Sequence, residues 1–208
     1  MDSAVKISNC IQAAARDLGL DPPSFNQAKN IIGLDLFESM QILFAEQDGH
    51  VHGKLVEQYR QHFLFDDSTP QHLFAGVEKG LEELNKQGVL LAVATGKARR
   101  GLKRVFAEVA LEQHFITTRC GDESRSKPHP QMLQEILEFT AIDPHKSIMV
   151  GDTSYDMQMA ANAGMPALGA GYGVHSRSTL QQASAVEVLD SFNAVIDWLL
   201  NRTEAAFS

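Results

Sequence analysis

Residues 147–164 read SIMVGDTSYDMQMAANAG, and this stretch decides the fold. The apolar run from Ser147 to Asp152 suits a short buried strand, Gly151 and Asp152 make a turn, and residues 154–163 carry helical spacing. A strand that runs straight into a helix is half of a βαβ unit. The same pattern repeats on both sides. Val89–Thr95 (VLLAVAT), Phe115–Arg119 (FITTR) and Pro166–Tyr172 (PALGAGY) are further short apolar or β-branched runs. Between and beyond them, residues 78–87, 98–110, 131–140 and 190–201 read as amphipathic helices, the last with Phe192, Val195, Ile196 and Leu199 on one face. The alternation predicts an α/β fold, a doubly wound parallel sheet covered by helices on both faces.

Upstream of Pro70, in DDSTPQH, the period changes and every apolar pattern is helical. Ile7, Ile11, Ala14 and Leu18 share one helix face, as do Leu36, Met40 and Leu43, and Leu55, Tyr59 and Phe63. The adjacent prolines of DPPSFNQ cannot continue a helix. The expected domains are therefore a small helical unit over residues 1–70 and an α/β core over 71–208. His50 and His52, flanked by Gly49 and Gly53, read as a solvated turn rather than metal ligands, and Met149, Met157, Met159 and Met165 as core filling.

Composition narrows the function. The 208 residues are 44% hydrophobic and 21% charged, as expected of a globular chain with one large domain. A net charge of −8 repels polyphosphate backbones, so no nucleic-acid partner is expected. No apolar run approaches the ~20 residues that span a bilayer, so no membrane association is expected, and the N-terminal residues lack the apolar stretch of a signal peptide. Cys10 and Cys120 lie far apart without metal-ligand spacing, which suits a reducing, cytoplasmic setting. The sequence leaves the oligomeric state open.

Ligands of open parallel sheets bind beyond the carboxyl ends of the strands, which directs attention to three segments. Asp152 ends one strand, and Asp156 lies four residues on, so the helical period brings both carboxylates to one loop, as a pair for a hard cation such as Mg²⁺. The alternative is that Asp152 or Ser154 caps the helix and Asp156 complements its dipole. In SKPHP, Pro128 and Pro130 hold Lys127 in a loop, as a fixed charge for an anion or as an ordinary solvated lysine. At Thr95-Gly96-Lys97 a hydroxyl and backbone N–H groups can hold phosphate oxygens, or Thr95 is an ordinary N-cap. Arg99 and Arg100 then place positive charge where the helix dipole disfavours it, a conflict that a nearby anion removes.

A hydroxyl, a lysine and a paired-aspartate loop in this chain order resemble the haloacid dehalogenase superfamily. FAGVEKGLEELNKQGVLLAVATGK, SKPHPQML and MVGDTSYDMQMAANAG are similar to its second, third and fourth motifs, and the helical segment to the cap of the phosphoglycolate-phosphatase-like branch. The resemblance implies a Mg²⁺-dependent phosphatase acting on a small phosphorylated metabolite. In it, Thr95 and the Gly96 amide bind the phosphoryl group, Lys127 neutralises it, Asp152 binds Mg²⁺ and Asp156 orients the metal shell. Gly33, Leu34 and Arg60, in the cap, are substrate-side candidates. Of the first motif, D-x-D-G-T-L-x-D-S, only Met1-Asp2-Ser3 fits the tail. Asp2 reads as an N-cap rather than a substitute nucleophile. The resemblance thus implies that the central first strand is missing and that the 208 residues as written are inactive, the strands at 89–95 and 147–151 pairing directly, standing apart or receiving a strand from another chain. A start site upstream of Met1 is the simplest explanation. A non-catalytic phosphate-binding module and a phosphomutase of the same superfamily are the alternatives.

Overall fold

The computed structural model describes residues 1–207, with side chains described up to Arg202, and it divides into two units, Met1–His72 and a second beginning at Leu73. In the first, capping residues set where helices begin. The helices are α1 (Ala4–Asp17), α2 (Phe25–Asn30), α3 (Leu36–Leu43) and α4 (Gly49–Gln61), the last continued by a π-helical turn over His62–Asp66. Ser24 and Gln27 cap α2 reciprocally just after the two prolines, so a short helix forms where the sequence shows mainly a break. Asp35 accepts from the Phe37 and Glu38 amides at the start of α3. The apolar stripes meet inside, where Ile11, Met40 and Leu55 are fully buried.

Two expectations fail in this unit. The His50–His52 segment is not a solvated turn: Asp48 accepts from the His50 and Val51 amides and so starts α4 there, despite the two glycines. His52 is buried, with Nε2 2.9 Å from the Phe44 carbonyl oxygen and its ring edge-on to Phe37. Asp2 is not the N-cap of α1, a position that Ser3 holds. The Asp2 amide instead donates to the His72 carbonyl at 2.8 Å, tying together the two ends of the unit.

The second unit is α/β, as expected. Its elements are α5 (Val77–Lys86), β1 (Ala92–Thr95), α6 (Arg99–Val109), β2 (Thr117–Cys120), α7 (Gln131–Thr140), β3 (Met149–Gly151), α8 (Ser154–Asn162), β4 (Ala167–Ala170), α9 (Arg177–Gln182), β5 (Glu187–Leu189) and α10 (Phe192–Phe207). Periodicity did not reveal α9 and β5, because a six-residue helix and a three-residue strand are too short to show a period. Every ladder is parallel. β1 pairs with β2, Thr95 opposite Cys120, and β3, β4 and β5 form a second sheet in that order.

No ladder joins β1 to β3 among the described residues. What they share is a core: Ala94 of β1 and Met149 of β3 pack against Met132, Leu133, Met157 and Met159. Among the described residues, side-chain contacts connect the two sheets.

The start of the second unit packs against its end. A Cβ on Gly80 of α5 would lie 2.6 Å from Ile196 Cγ1 and 2.8 Å from Phe192 Cε1 of α10. The overpacking of Gly80→Ala, about 1–3 kcal/mol, opposes a helix-propensity gain of about 1 kcal/mol. We expect a net loss of up to about 2 kcal/mol, read as a lower urea midpoint at unchanged slope. A stabilised Gly80→Ala variant would show that α10 does not press on α5.

Candidate active site

The site grows from the turn between β3 and α8. Thr153 is the N-cap of α8: its hydroxyl oxygen accepts from the Asp156 amide at 3.2 Å. Asp156 answers with Oδ2, which accepts from the Thr153 amide at 3.1 Å and hydroxyl at 2.8 Å. Its other oxygen, Oδ1, accepts from Lys127 Nζ at 2.6 Å. Both side chains of this ion pair are nearly inaccessible, at 7% and 5% exposure. A Cβ on Gly151 would lie 2.3 Å from Asp156 Cβ, so the turn closes on this carboxylate only with glycine there. Asp156 is therefore at once a capping residue and an ion-pair partner, and both of its oxygens are engaged.

Lys127 is not a solvated loop lysine. It lies in the β2–α7 connection, where Asn162, the last residue of α8, donates to the Pro128 carbonyl at 2.9 Å. Pro130 takes the N-cap position of α7, and the Gln131 amide donates to His129 Nδ1 at 3.2 Å. These contacts aim the lysine inward.

Asp152 is placed differently. Its Oδ2 accepts from the Val174 amide at 3.1 Å, and its carbonyl oxygen accepts from the His175 amide at 2.9 Å. Burial pushes its carboxyl above the ordinary 3.8, and the charge of Asp156 adds to the rise; the Val174 amide and Lys127 oppose it. Tyr172, on the same connection, is pushed up to about 12 by burial and by the Asp152 charge. Asp152 is thus a buried carboxylate on which desolvation outweighs the groups that oppose it.

At the end of β1, Thr95 Oγ1 accepts from the Lys97 amide at 3.2 Å. Thr95 is not the N-cap of α6; Ala98 holds that position without a side-chain hydrogen bond. The conflict at Arg99 is removed by carboxylates of the chain itself. Asp122 accepts from the Arg99 amide at 2.9 Å, and Glu123 takes the guanidinium through both of its oxygens. Arg99 in turn holds the Glu123 carboxyl below its ordinary range. Cys120, Asp122 and Glu123 lie close together, but Arg99 supplies the cation there and burial pushes the Cys120 thiol to about 11.

The structure therefore brings Lys127 and Asp156 into contact with Asp152 next to them, and places Thr95 and Gly96 at the carboxyl end of the other sheet. Gly33, at φ 111°, Leu34, buried, and Arg60, exposed on α4, belong to the first unit. The sequence reading missed Thr153, Asn162, Val174, His175, Asp122 and Glu123. Val174 and His175 lie two and three residues past the fourth expected strand run, so the rule of reading past each strand end points to them.

Comparison with known proteins identifies the family. The sequence profile of the haloacid dehalogenase-like hydrolases matches residues 1–170. The chain is 31% identical over 200 residues to the probable phosphatase IndB of Dickeya dadantii, covering 94% of this chain and 87% of that protein. It is 26% identical to a phosphoglycolate phosphatase of Psychrobacter arcticus, over 96% of this chain and 91% of that one. The crystal structure of a hydrolase from Pseudomonas syringae superposes with a TM-score of 0.86 at 18% identity, over 96% of this chain and 93% of that one.

Two outcomes are expected of the buried charges. Lys127→Met leaves Asp156 without its cation and should cost about 3–5 kcal/mol, the usual loss when one partner of a buried pair is removed. Lys127→Met/Asp156→Asn should cost less than the sum of the single changes, and additivity in urea denaturation would show the pair to be uncoupled. The second outcome concerns Asp152. A folded-state pKa above 3.8 means that its contribution to stability is present below that value and lost as pH rises through the folded one. Without divalent cations, Asp152→Asn should therefore raise the melting temperature at pH 7, by roughly 2–4 °C for each kcal/mol relieved, and should gain nothing at pH 3. An equal change at both pH values would contradict this electrostatic account.

Proposed function

Because this chain belongs to the haloacid dehalogenase-like hydrolase family, we propose that it is the body of a Mg²⁺-dependent phosphomonoesterase for a small phosphorylated metabolite of the phosphoglycolate kind. The observation that carries the reading is the Lys127–Asp156 pair beside the under-compensated Asp152 at the carboxyl end of a parallel strand. The names of the relatives, a probable phosphatase and a phosphoglycolate phosphatase, point the same way.

The residues fit the cation unequally. Asp152 offers a buried, all-oxygen, negatively charged position of the kind that Mg²⁺ takes. Asp156, saturated by Lys127 and Thr153, suits an orienting role better than direct ligation. When bound, the cation would supply charge compensation for the phosphoryl oxygens. In this reading Thr95 Oγ1 and the Gly96 amide hold the phosphoryl group, and Lys127 offsets charge as it builds. Gly33, Leu34 and Arg60 remain the substrate-side candidates. Leu34, buried in its own unit, would act through packing.

Phosphoryl transfer in this family needs a carboxylate nucleophile, and the 208 residues contain no D-x-D-G-T-L motif to supply it. The unpaired edges of β1 and β3 support the proposal that a nucleophile-bearing strand belongs between them. The chain as written is then inactive and becomes active when extended by such a strand. The same lack favours the second reading, a non-catalytic phosphate-binding module; nothing in the structure favours a phosphomutase. The two free, buried cysteines accord with a reducing, cytoplasmic setting.

The test is to assay the 208-residue chain and an upstream-extended chain side by side on p-nitrophenyl phosphate with Mg²⁺. Turnover by the extended chain only, abolished by Asp152→Ala and by chelation, is the expected result. Turnover by neither, with phosphate binding retained by both, would establish the non-catalytic reading. Equal Mg²⁺-dependent turnover by both would refute the requirement for the missing motif.

A further inference from the structure

We propose that the connection after β4, residues 171–175, clamps the Asp152 turn, and that His175 is the positioning residue whose Nδ1 fixes the direction of Asp152. The inference rests on the reading of Asp152 as a cation ligand given above. Three neighbouring residues of the connection grip the same turn. A Cβ on Gly173 would lie 2.3 Å from both Cβ and Oδ2 of Asp152, an approach that no other residue permits. The Val174 amide donates to the Asp152 carboxylate at 3.1 Å. The His175 amide donates to the Asp152 carbonyl at 2.9 Å, and its ring Nδ1 accepts from the Ser154 amide at 3.0 Å.

The last contact needs an explanation that capping alone does not give. Ser154 is the first residue of α8, and its amide is one of the donors that a helix start leaves without an intrahelical partner. Thr153, the N-cap, satisfies the amide of Asp156 and not that of Ser154. The acceptor comes instead from the next βα connection, on a buried residue, 8% exposed, whose ring lies edge-on to Tyr155 at 5.6 Å. One residue thereby holds the backbone on both sides of the Asp152–Ser154 turn. Rotation of that turn would swing the carboxylate, and it cannot occur without breaking both contacts. Because Nδ1 accepts, the neutral ring carries its proton on Nε2. Groups of this kind, which orient a ligand without touching the metal, characteristically change metal affinity by about 10–100-fold when removed.

The acceptor position makes the inference testable by side-chain geometry. Asparagine carries an oxygen at nearly the reach of Nδ1, whereas glutamine carries its oxygen near the place of Nε2. The 208-residue chain and its His175→Asn, His175→Gln and His175→Ala variants are titrated with Mg²⁺, and the apparent dissociation constant is read from the rise in melting temperature. Melting without Mg²⁺ and circular dichroism report stability and folding separately. We expect His175→Gln and His175→Ala to weaken Mg²⁺ binding about 10–100-fold and His175→Asn to stay within about threefold of wild type, while all three lose stability without Mg²⁺. Wild-type affinity in His175→Gln, accompanied only by a lower melting temperature, would overturn the positioning role and leave the metal site standing. Should His175→Ala fail to fold, the Asn and Gln pair decides the matter. A wild-type chain that responds to Mg²⁺ no more than Asp152→Ala does would overturn the metal reading itself, and this inference with it.

Discussion

A lysine and an aspartate buried together, 2.6 Å apart and 29 positions distant in sequence, hold the second unit in register. Removing both charges from water costs several kcal/mol for each ion, and only close geometry with further hydrogen bonds recovers it. That requirement propagates outward. Lys127 must enter from a loop stiffened by two prolines and anchored by Asn162, and Asp156 must be presented by a helix whose first turn is capped by Thr153. Glycine at position 151 is then obligatory, since any side chain would collide with the carboxylate. Much of the local sequence from Ser126 to Asn162 follows from this one contact.

The pair also spans the place where the sheet is not continuous. β2 precedes the lysine loop, β3 precedes the aspartate turn, and the two strands belong to separate parallel sheets. With no ladder between β1 and β3 among the described residues, the sheets are joined by the ion pair, by the Asn162–Pro128 hydrogen bond and by the methionine-rich cluster around Met132 and Met157. Unbranched methionines suit that cluster because they fill irregular space between elements that no backbone hydrogen bond aligns.

How much of this was legible in the sequence depends on whether the signal is local. The doubly wound order was legible because runs such as VLLAVAT and SIMVGD change period abruptly into amphipathic helices. Lys127 and Asp156 were legible as candidates because each lies just past a strand. Their direct contact was not, since pairing across 29 residues leaves no periodic trace. The His50–His52 segment misled because two glycines suggest a turn, whereas one well-placed aspartate, Asp48, supplies the acceptor that starts a helix. Arg99 misled for the same kind of reason: the anion that its position calls for is there, but it comes from Asp122 and Glu123, 23 and 24 residues later.

The distribution of charge around Asp152 couples the two halves of the proposed chemistry. Helix starts attract anions through unpaired amides, but at α8 the Ser154 amide donates to His175 and the Asp156 amide to Thr153, so its dipole is turned toward groups of the protein. Lys127 is shared between two aspartates there, and burial leaves Asp152 a carboxyl that is costly to ionise. A phosphate brought to that end of the strands would meet repulsion from Asp152, and Lys127 is already engaged by Asp156. A divalent cation held by Asp152 would reverse the sign of the local field and would make the same place attractive to phosphate. On the proposed reading, anion binding would be conditional on cation binding, and the geometry that holds Asp152 in place would govern both.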